Sequence, residues 1–171
     1  MTEDIINIGV AEYHVTHNPS VMASYGLGSC VAIALYDEAK HIGGLAHIML
    51  PDSRAISKKG REARFADTAI QAMVKEMVQL GARKNRITAK IAGGAQMFSI
   101  PGASNPANIP GPAPGLHIGE RNVGSTKKTL QEMKIPLLAE DTGGSHGRTM
   151  YFDVGTGEVN ITSISHGNKK L

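Results

Sequence analysis

Two apolar runs joined by a short turn constrain this chain more than any other feature. Val31-Ala32-Ile33-Ala34-Leu35 reads as a buried strand, and a second run extends from Ile42 through Leu45 to Leu50-Pro51. Asp37-Glu38-Ala39-Lys40 between them has turn composition, so the runs are expected to pair as an antiparallel hairpin. In such a hairpin the start of the first strand lies beside the end of the second. The start is Gly26-Leu27-Gly28-Ser29-Cys30, which carries the only cysteine of the chain, and the end is Leu45-Ala46-His47-Ile48-Met49. The pairing therefore predicts that Cys30 and His47 meet at one end of a sheet.

Gly26 and Gly28 permit positive φ and a close backbone approach just ahead of the thiol. A cysteine where loop becomes strand is held by a rigid sheet and can still face solvent. The backbone N–H groups of Gly28 and Ser29, with that of Cys30, are then candidates to hold an oxyanion. The same residues fit plainer readings. A lone cysteine is often a small buried hydrophobe, His47 between Ala46 and Ile48 suits a core imidazole bonded to a carbonyl, and the glycines suit a tight turn.

The length predicts one domain, residues 1–171, large enough to bury a core. Aromatics make up only 4% and tryptophan is absent, so that core has to rest on Ile, Val, Leu, Ala and eight methionines. Met1-Thr2-Glu3-Asp4 lacks a signal-peptide pattern, and no apolar run approaches membrane-spanning length. A cytoplasmic protein with no membrane insertion is expected, and a single cysteine rules out a disulfide within the chain. A formal charge of +3 without a basic stripe and stacking aromatics does not argue for nucleic acid.

The remaining elements are read from periodicity. Ile5 to Val10 suggests a first strand, Glu12 to Pro19 a polar stretch with solvated His14 and His17, and Val21 to Ser24 a lead into the glycine turn. Arg54 to Arg64 is a basic stretch, read either as a solvated loop or as a guide for acidic partner surfaces. Phe65 to Leu80 is predicted helical, with Ala66, Ile70, Met73, Val74, Met77 and Leu80 inward and Gly81 as its stop. Ile87 to Ile91 is a strand running into Ala92-Gly93-Gly94-Ala95, which lacks the Gly-Lys-Ser/Thr ending of a phosphate loop.

A Pro/Gly-rich excursion over about 99–117 precedes a second helix, about Glu120 to Lys134, with Val123, Leu130 and Met133 inward. Pro136 to Ala139 is a short strand delivering Glu140-Asp141 to a turn. Neighbouring carboxylates on a strand face opposite ways, which argues against a catalytic dyad, although one of them can orient loop amides near the site. Thr149 to Val154 and Glu158 to Ile164 form a closing hairpin, and the tail from His166 to Leu171 reads as frayed. The order predicts an α/β sandwich with a mixed, largely antiparallel sheet and two main amphipathic helices, not a Rossmann arrangement.

Gly26-Leu27-Gly28-Ser29-Cys30-Val31, Ala46-His47-Ile48-Met49-Leu50-Pro51-Asp52-Ser53, Phe65-Ala66-Asp67-Thr68-Ala69, Lys90 to Phe98, Ile118-Gly119-Glu120-Arg121-Asn122-Val123 and Ala139-Glu140-Asp141-Thr142-Gly143-Gly144 resemble successive blocks of the CheD family of chemoreceptor glutamine deamidases. The blocks stand in order and span nearly the whole chain. The resemblance implies a CheD-like cysteine hydrolase fold, shared with a bacterial toxin domain that deamidates glutamine. It implies Cys30 as nucleophile and His47 as base, and no metal or organic cofactor. It also implies a third, orienting residue six positions before the cysteine, where the family is expected to carry threonine and this chain has Ser24.

Serine keeps the hydroxyl and loses the methyl that restricts χ1, which bears on turnover rather than reaction type. The partners implied are the cytoplasmic helices of chemoreceptors as substrate and a CheC-type phosphatase, with a monomer expected when free. The proline-rich excursion is longer than is usual for the family. Two alternatives stay open: an interaction module acting mainly by binding the phosphatase, and a thiol redox sensor, for which a resolving cysteine is lacking.

Overall fold

A computed structural model describes residues 4–53, 62–97 and 117–171. In chain order the elements are β1 (Ile5–Asn7), β2 (Glu12–His17), β3 (Val21–Leu27), β4 (Val31–Asp37), β5 (Ile42–Ile48), α1 (Ala66–Leu80), β6 (Thr88–Gly93), α2 (Ile118–Glu132), β7 (Leu137–Thr142), β8 (Arg148–Asp153), β9 (Val159–Ser163) and β10 (Gly167–Lys170). They make two five-stranded sheets, ordered β1-β3-β8-β9-β10 and β2-β5-β4-β6-β7. β1–β3 and β6–β7 are parallel, and the other pairs are antiparallel. The α/β class with mixed, largely antiparallel sheets is the one expected. Among the described residues, no helix is long and apolar enough to cross a membrane.

β4 and β5 sit at the middle of their sheet and are buried on both faces, which is why they read as continuous apolar runs rather than alternating ones. Val31, Ile33, Leu35, Ala46 and Ile48 join Ile70, Met73 and Met77 of α1 on one side. Ala32, Ala34 and Leu45 join Met22, Phe152 and Ile161 of the opposite sheet on the other. Ile33, Leu35, Leu45 and Ile48 are fully buried, and each contributes roughly 1.5–3 kcal/mol by leaving water. Small residues let the sheets approach: a Cβ on Gly43 would lie 2.8 Å from the Phe152 ring.

α1 lies against β5, β2, β4 and α2. It begins one residue after its expected start and ends on Gly81, whose φ of 116° allows its N–H to bond back to the last turn. Leu80, expected inward, is half exposed, while Met77 one turn earlier is fully buried. α2 is shifted toward the amino terminus by two residues relative to the prediction, and it buries Asn122, Thr126 and Thr129 beside Leu130. A reading that counted only apolar residues did not see this polar inward stripe.

Three readings are corrected. Glu12 to Pro19 is not simply polar, since β2 pairs with β5 from Glu12↔His47 to His17↔Ile42 and packs Tyr13 and Val15 on the helix-side core. His14, on its other face, and His17, at the end of the strand, are both exposed as expected. The tail is not frayed, because β10 pairs with β9 over Gly167 to Lys170. That pairing rests on main-chain bonds, with exposed lysines blunting the sheet edge, so side-chain character could not reveal it. Glu140 and Asp141 lie within β7 rather than in a turn after it. The first strand is shorter than expected, and residues 54–61 and 98–116, which include most of the basic stretch and the proline-rich excursion, lie outside the described residues.

Candidate active site

The hairpin register sets the geometry. Val31 pairs with Ile48 and Ala32 with His47, so Cys30 stands one residue before the paired stretch and diagonal to His47. Alternation puts Cys30, Ala32 and His47 on the face turned to the second sheet, and Cys30 packs against that inter-sheet core. Diagonal neighbours on one face of an antiparallel pair stand about 7–8 Å apart, within reach of long side chains.

His47 is 2% exposed. Its Nδ1 lies 3.3 Å from the carbonyl oxygen of Ile8, just past β1. A carbonyl only accepts, so Nδ1 carries the proton and donates, leaving Nε2 with a free lone pair. Nε2 is buried and has no partner among the described residues. Ser24, fully buried on β3, donates to the same Ile8 carbonyl at 3.3 Å. The serine and the imidazole are therefore brought together at one acceptor, Ile8 O, and the hydroxyl helps hold that carbonyl in place.

Both titratable groups are pushed toward neutrality. Burial raises the Cys30 thiol above its ordinary 9.0, with the cysteine's own backbone N–H pulling the other way. Burial lowers His47 below 6.5, against weaker opposite pulls from the Ile8 carbonyl bond and Glu12. The resting pair is thus a neutral thiol and a neutral imidazole. Such a pair can transfer a proton when a polarised carbonyl arrives and takes up the charge.

The loop ahead of β4 is fixed by its carbonyls. Ala95 N–H donates to Gly28 O at 2.9 Å and Gly94 N–H to Cys30 O at 2.8 Å. Asn122 Nδ2 donates to Ser29 O at 2.8 Å. The turn after β6 comes this close because it is built on glycine. A Cβ on Gly93 would sit 2.2 Å from Cys30 O, and one on Gly94 2.2 Å from Val123. Gly119 is needed for the same reason on the helix, since its Cβ would lie 2.4 Å from Ala95 O. These glycines, rejected above as a phosphate loop, serve close packing instead. Met97 lies over Gly28, its Cγ 3.2 Å from where a Cβ would stand, and is itself half exposed.

Behind the loop, buried Arg148 donates to Gly93 O at 3.3 Å and Gly143 O at 2.7 Å and pairs with Asp141 at 3.3 Å. Glu140, on the opposite face of β7, pairs instead with Lys127 of α2 at 2.8 Å. The two carboxylates diverge, as their alternation on a strand requires. The residues missed from sequence are Ile8, which acts through its main chain and leaves no mark in side-chain identity, and Asn122. Asn122 had a visible signal: it shares a helical face with Thr126, four residues on, and with Leu130. Among the described residues, no group of three or more His, Cys, Asp or Glu is arranged to hold a metal ion.

Residues 49–163 match the family described as CheD chemotactic sensory transduction. The chain is 48% identical over 166 residues to a probable chemoreceptor glutamine deamidase CheD of Clostridium botulinum strain Hall, covering 97% of both proteins. It is 44% identical over 168 residues to the protein of the same name from Desulfitobacterium hafniense, covering 98% of this chain and 99% of that one.

Proposed function

The chain belongs to the CheD family, and from that premise we propose that it deamidates glutamine side chains of chemoreceptors, with Cys30 as nucleophile and His47 as base. The observation that carries the assignment of roles is the buried, unpartnered Nε2 of His47, held in its acceptor form by the Ile8 carbonyl on the face shared with Cys30.

In this mechanism Nε2 takes the thiol proton as sulfur bonds to the side-chain amide carbon, and the carbonyl electrons move to oxygen. N–H groups of the Gly28-Ser29-Cys30 loop hold that oxyanion. Collapse of the tetrahedral species breaks the C–N bond, and protonated His47 gives its proton to the departing ammonia, leaving a thioester. His47 then takes a proton from water, whose oxygen attacks the thioester carbon. The C–S bond breaks, glutamate leaves, and the sulfur recovers its proton. Ser24 acts through Ile8, keeping the carbonyl where it fixes the imidazole tautomer.

The substrate in this reading is the cytoplasmic helical region of a receptor, which puts the enzyme in the cytoplasm, and a CheC-type phosphatase is a second binding partner. Incubation with a receptor cytoplasmic fragment is expected to add about one dalton at defined glutamines and release ammonia. The Cys30→Ala protein is expected to release none while still forming the phosphatase complex. Equal ammonia release by Cys30→Ala would remove the cysteine mechanism.

A further inference from the structure

We propose that Asn122 is a positioning residue that aims the Ser29–Cys30 peptide, and with it the Cys30 N–H, at the oxygen of the amide under attack. The proposal rests on the deamidase reading above and extends it to a helix far from the hairpin in sequence.

A trans peptide unit is planar, with its C=O and N–H pointing in opposite directions. Holding the carbonyl of one residue therefore sets the direction of the next residue's N–H. The Gly28 carbonyl is held by Ala95 N–H, which fixes the Ser29 N–H, and the Ser29 carbonyl is held by Asn122 Nδ2, which fixes the Cys30 N–H. The N–H groups of Ser29 and Cys30 donate to no backbone carbonyl among the described residues, and the Cys30 N–H faces its own sulfur. Each therefore points away from the group that anchors its peptide.

Of the anchors on this loop, Asn122 is the one supplied by a side chain. Its side chain is wholly buried, and the same Nδ2 donates to Met49 O at 3.2 Å, two residues past His47. One amide thus ties the nucleophile loop to the strand end that carries the base. Its other atom, Oδ1, is buried and has no hydrogen-bond partner among the described residues. Both acceptors of Nδ2 are carbonyls of the site, and the side chain's own acceptor is left unused. The amide is placed for what its N–H groups hold.

Orienting an oxyanion donor affects attack on a carbonyl but not alkylation at a saturated carbon. Deamidation and iodoacetamide labelling of Cys30 are therefore compared in the full-length chain, its Asn122→Ala and Asn122→Ser variants, and Cys30→Ala. For Asn122→Ala, kcat is expected to fall on the order of 30–100-fold, with KM and the alkylation rate each changing less than about threefold. Asn122→Ser, which keeps one short donor, is expected to fall between. The result is read from whichever variant retains the wild-type circular dichroism. An unchanged kcat, a parallel loss of kcat and alkylation, or failure of both variants to fold would each overturn the positioning role. If wild type leaves receptor glutamines intact, or Cys30→Ala is as active as wild type, the deamidase reading itself falls. If wild type is active, Cys30→Ala silent and Asn122→Ala unimpaired, only the role of Asn122 is lost.

Discussion

The two ends of the β4–β5 hairpin bury comparable polar groups and leave them in opposite states. At the turn end, Asp37 is fully buried and accepts from Lys40 N–H at 3.2 Å and Arg83 N–H at 2.9 Å, with Arg86 Nε 3.5 Å away. Burial alone would raise this carboxyl, but those two N–H groups and the guanidinium together hold it below 3.8. Arg86 Nε and Nη2 lack hydrogen bonds of good geometry, yet the nearby carboxylate still balances their charge. At the open end, His47 Nε2 and Asn122 Oδ1 are buried with no partner among the described residues, and the half-buried Ser29 and Cys30 N–H groups donate to no backbone carbonyl there. A buried polar group left unpaired costs about 1–3 kcal/mol. The turn end offsets that cost with two backbone donors and a guanidinium, and the open end carries it at His47 Nε2 and Asn122 Oδ1.

If that contrast is real, substitutions at the two ends should separate activity from stability. Cys30→Ala should lower deamidation by about a thousandfold or more while leaving the denaturation midpoint nearly unchanged, read by ammonia release and a urea titration. A fall in both would mean that the cysteine is a packing residue and the ends are alike. Asp37→Ala should do the reverse. Removing the carboxylate strands two part-buried N–H groups and a partly exposed guanidinium, at about 2–4 kcal/mol of stability, with kcat per folded molecule preserved. Loss of kcat without loss of stability at Asp37 would break the comparison.

The pH profile sharpens it. As the proposed base, His47 has to be neutral to accept the proton, and its lowered value places activity above that value, lost as pH falls through it. The acid limb of kcat/KM should therefore have its midpoint below 6.5. A midpoint above that value would mean a stabilised imidazolium and a thiolate–imidazolium pair at rest. The smallest effect expected is from Ser24→Ala, which removes one of two donors on Ile8 O: a loss of activity of roughly five- to tenfold, the kinetic equivalent of one hydrogen bond. Unchanged activity, measured against Ser24→Thr, would take the hydroxyl out of the site.

What could be read in advance and what could not differ in range along the chain. The hairpin was legible because β4, its turn and β5 are contiguous, and antiparallel pairing then leaves little freedom in which residues meet. α1 was legible because Ile70, Met73, Val74 and Met77 repeat at helical spacing. β2 and β10 were not, since β2 is largely polar and β10 is exposed at every residue, so neither carries the apolar signal that marks a strand. Ser24 was singled out by its place before the cysteine, but its link to His47 runs through Ile8 O, an atom that every residue possesses.

By itself the amino-acid order determined which segments must be buried, and through the contiguous hairpin it determined that Cys30 and His47 share one end of a sheet. The tertiary structure decided the chemical state of that pair. The inter-sheet packing that strips water from both groups, the carbonyl that selects the imidazole tautomer and the helix amide that directs the Cys30 N–H come from β1, β3, β8 and α2. Main-chain donors and acceptors acquire direction only when distant segments dock, so no local pattern of side chains can announce them.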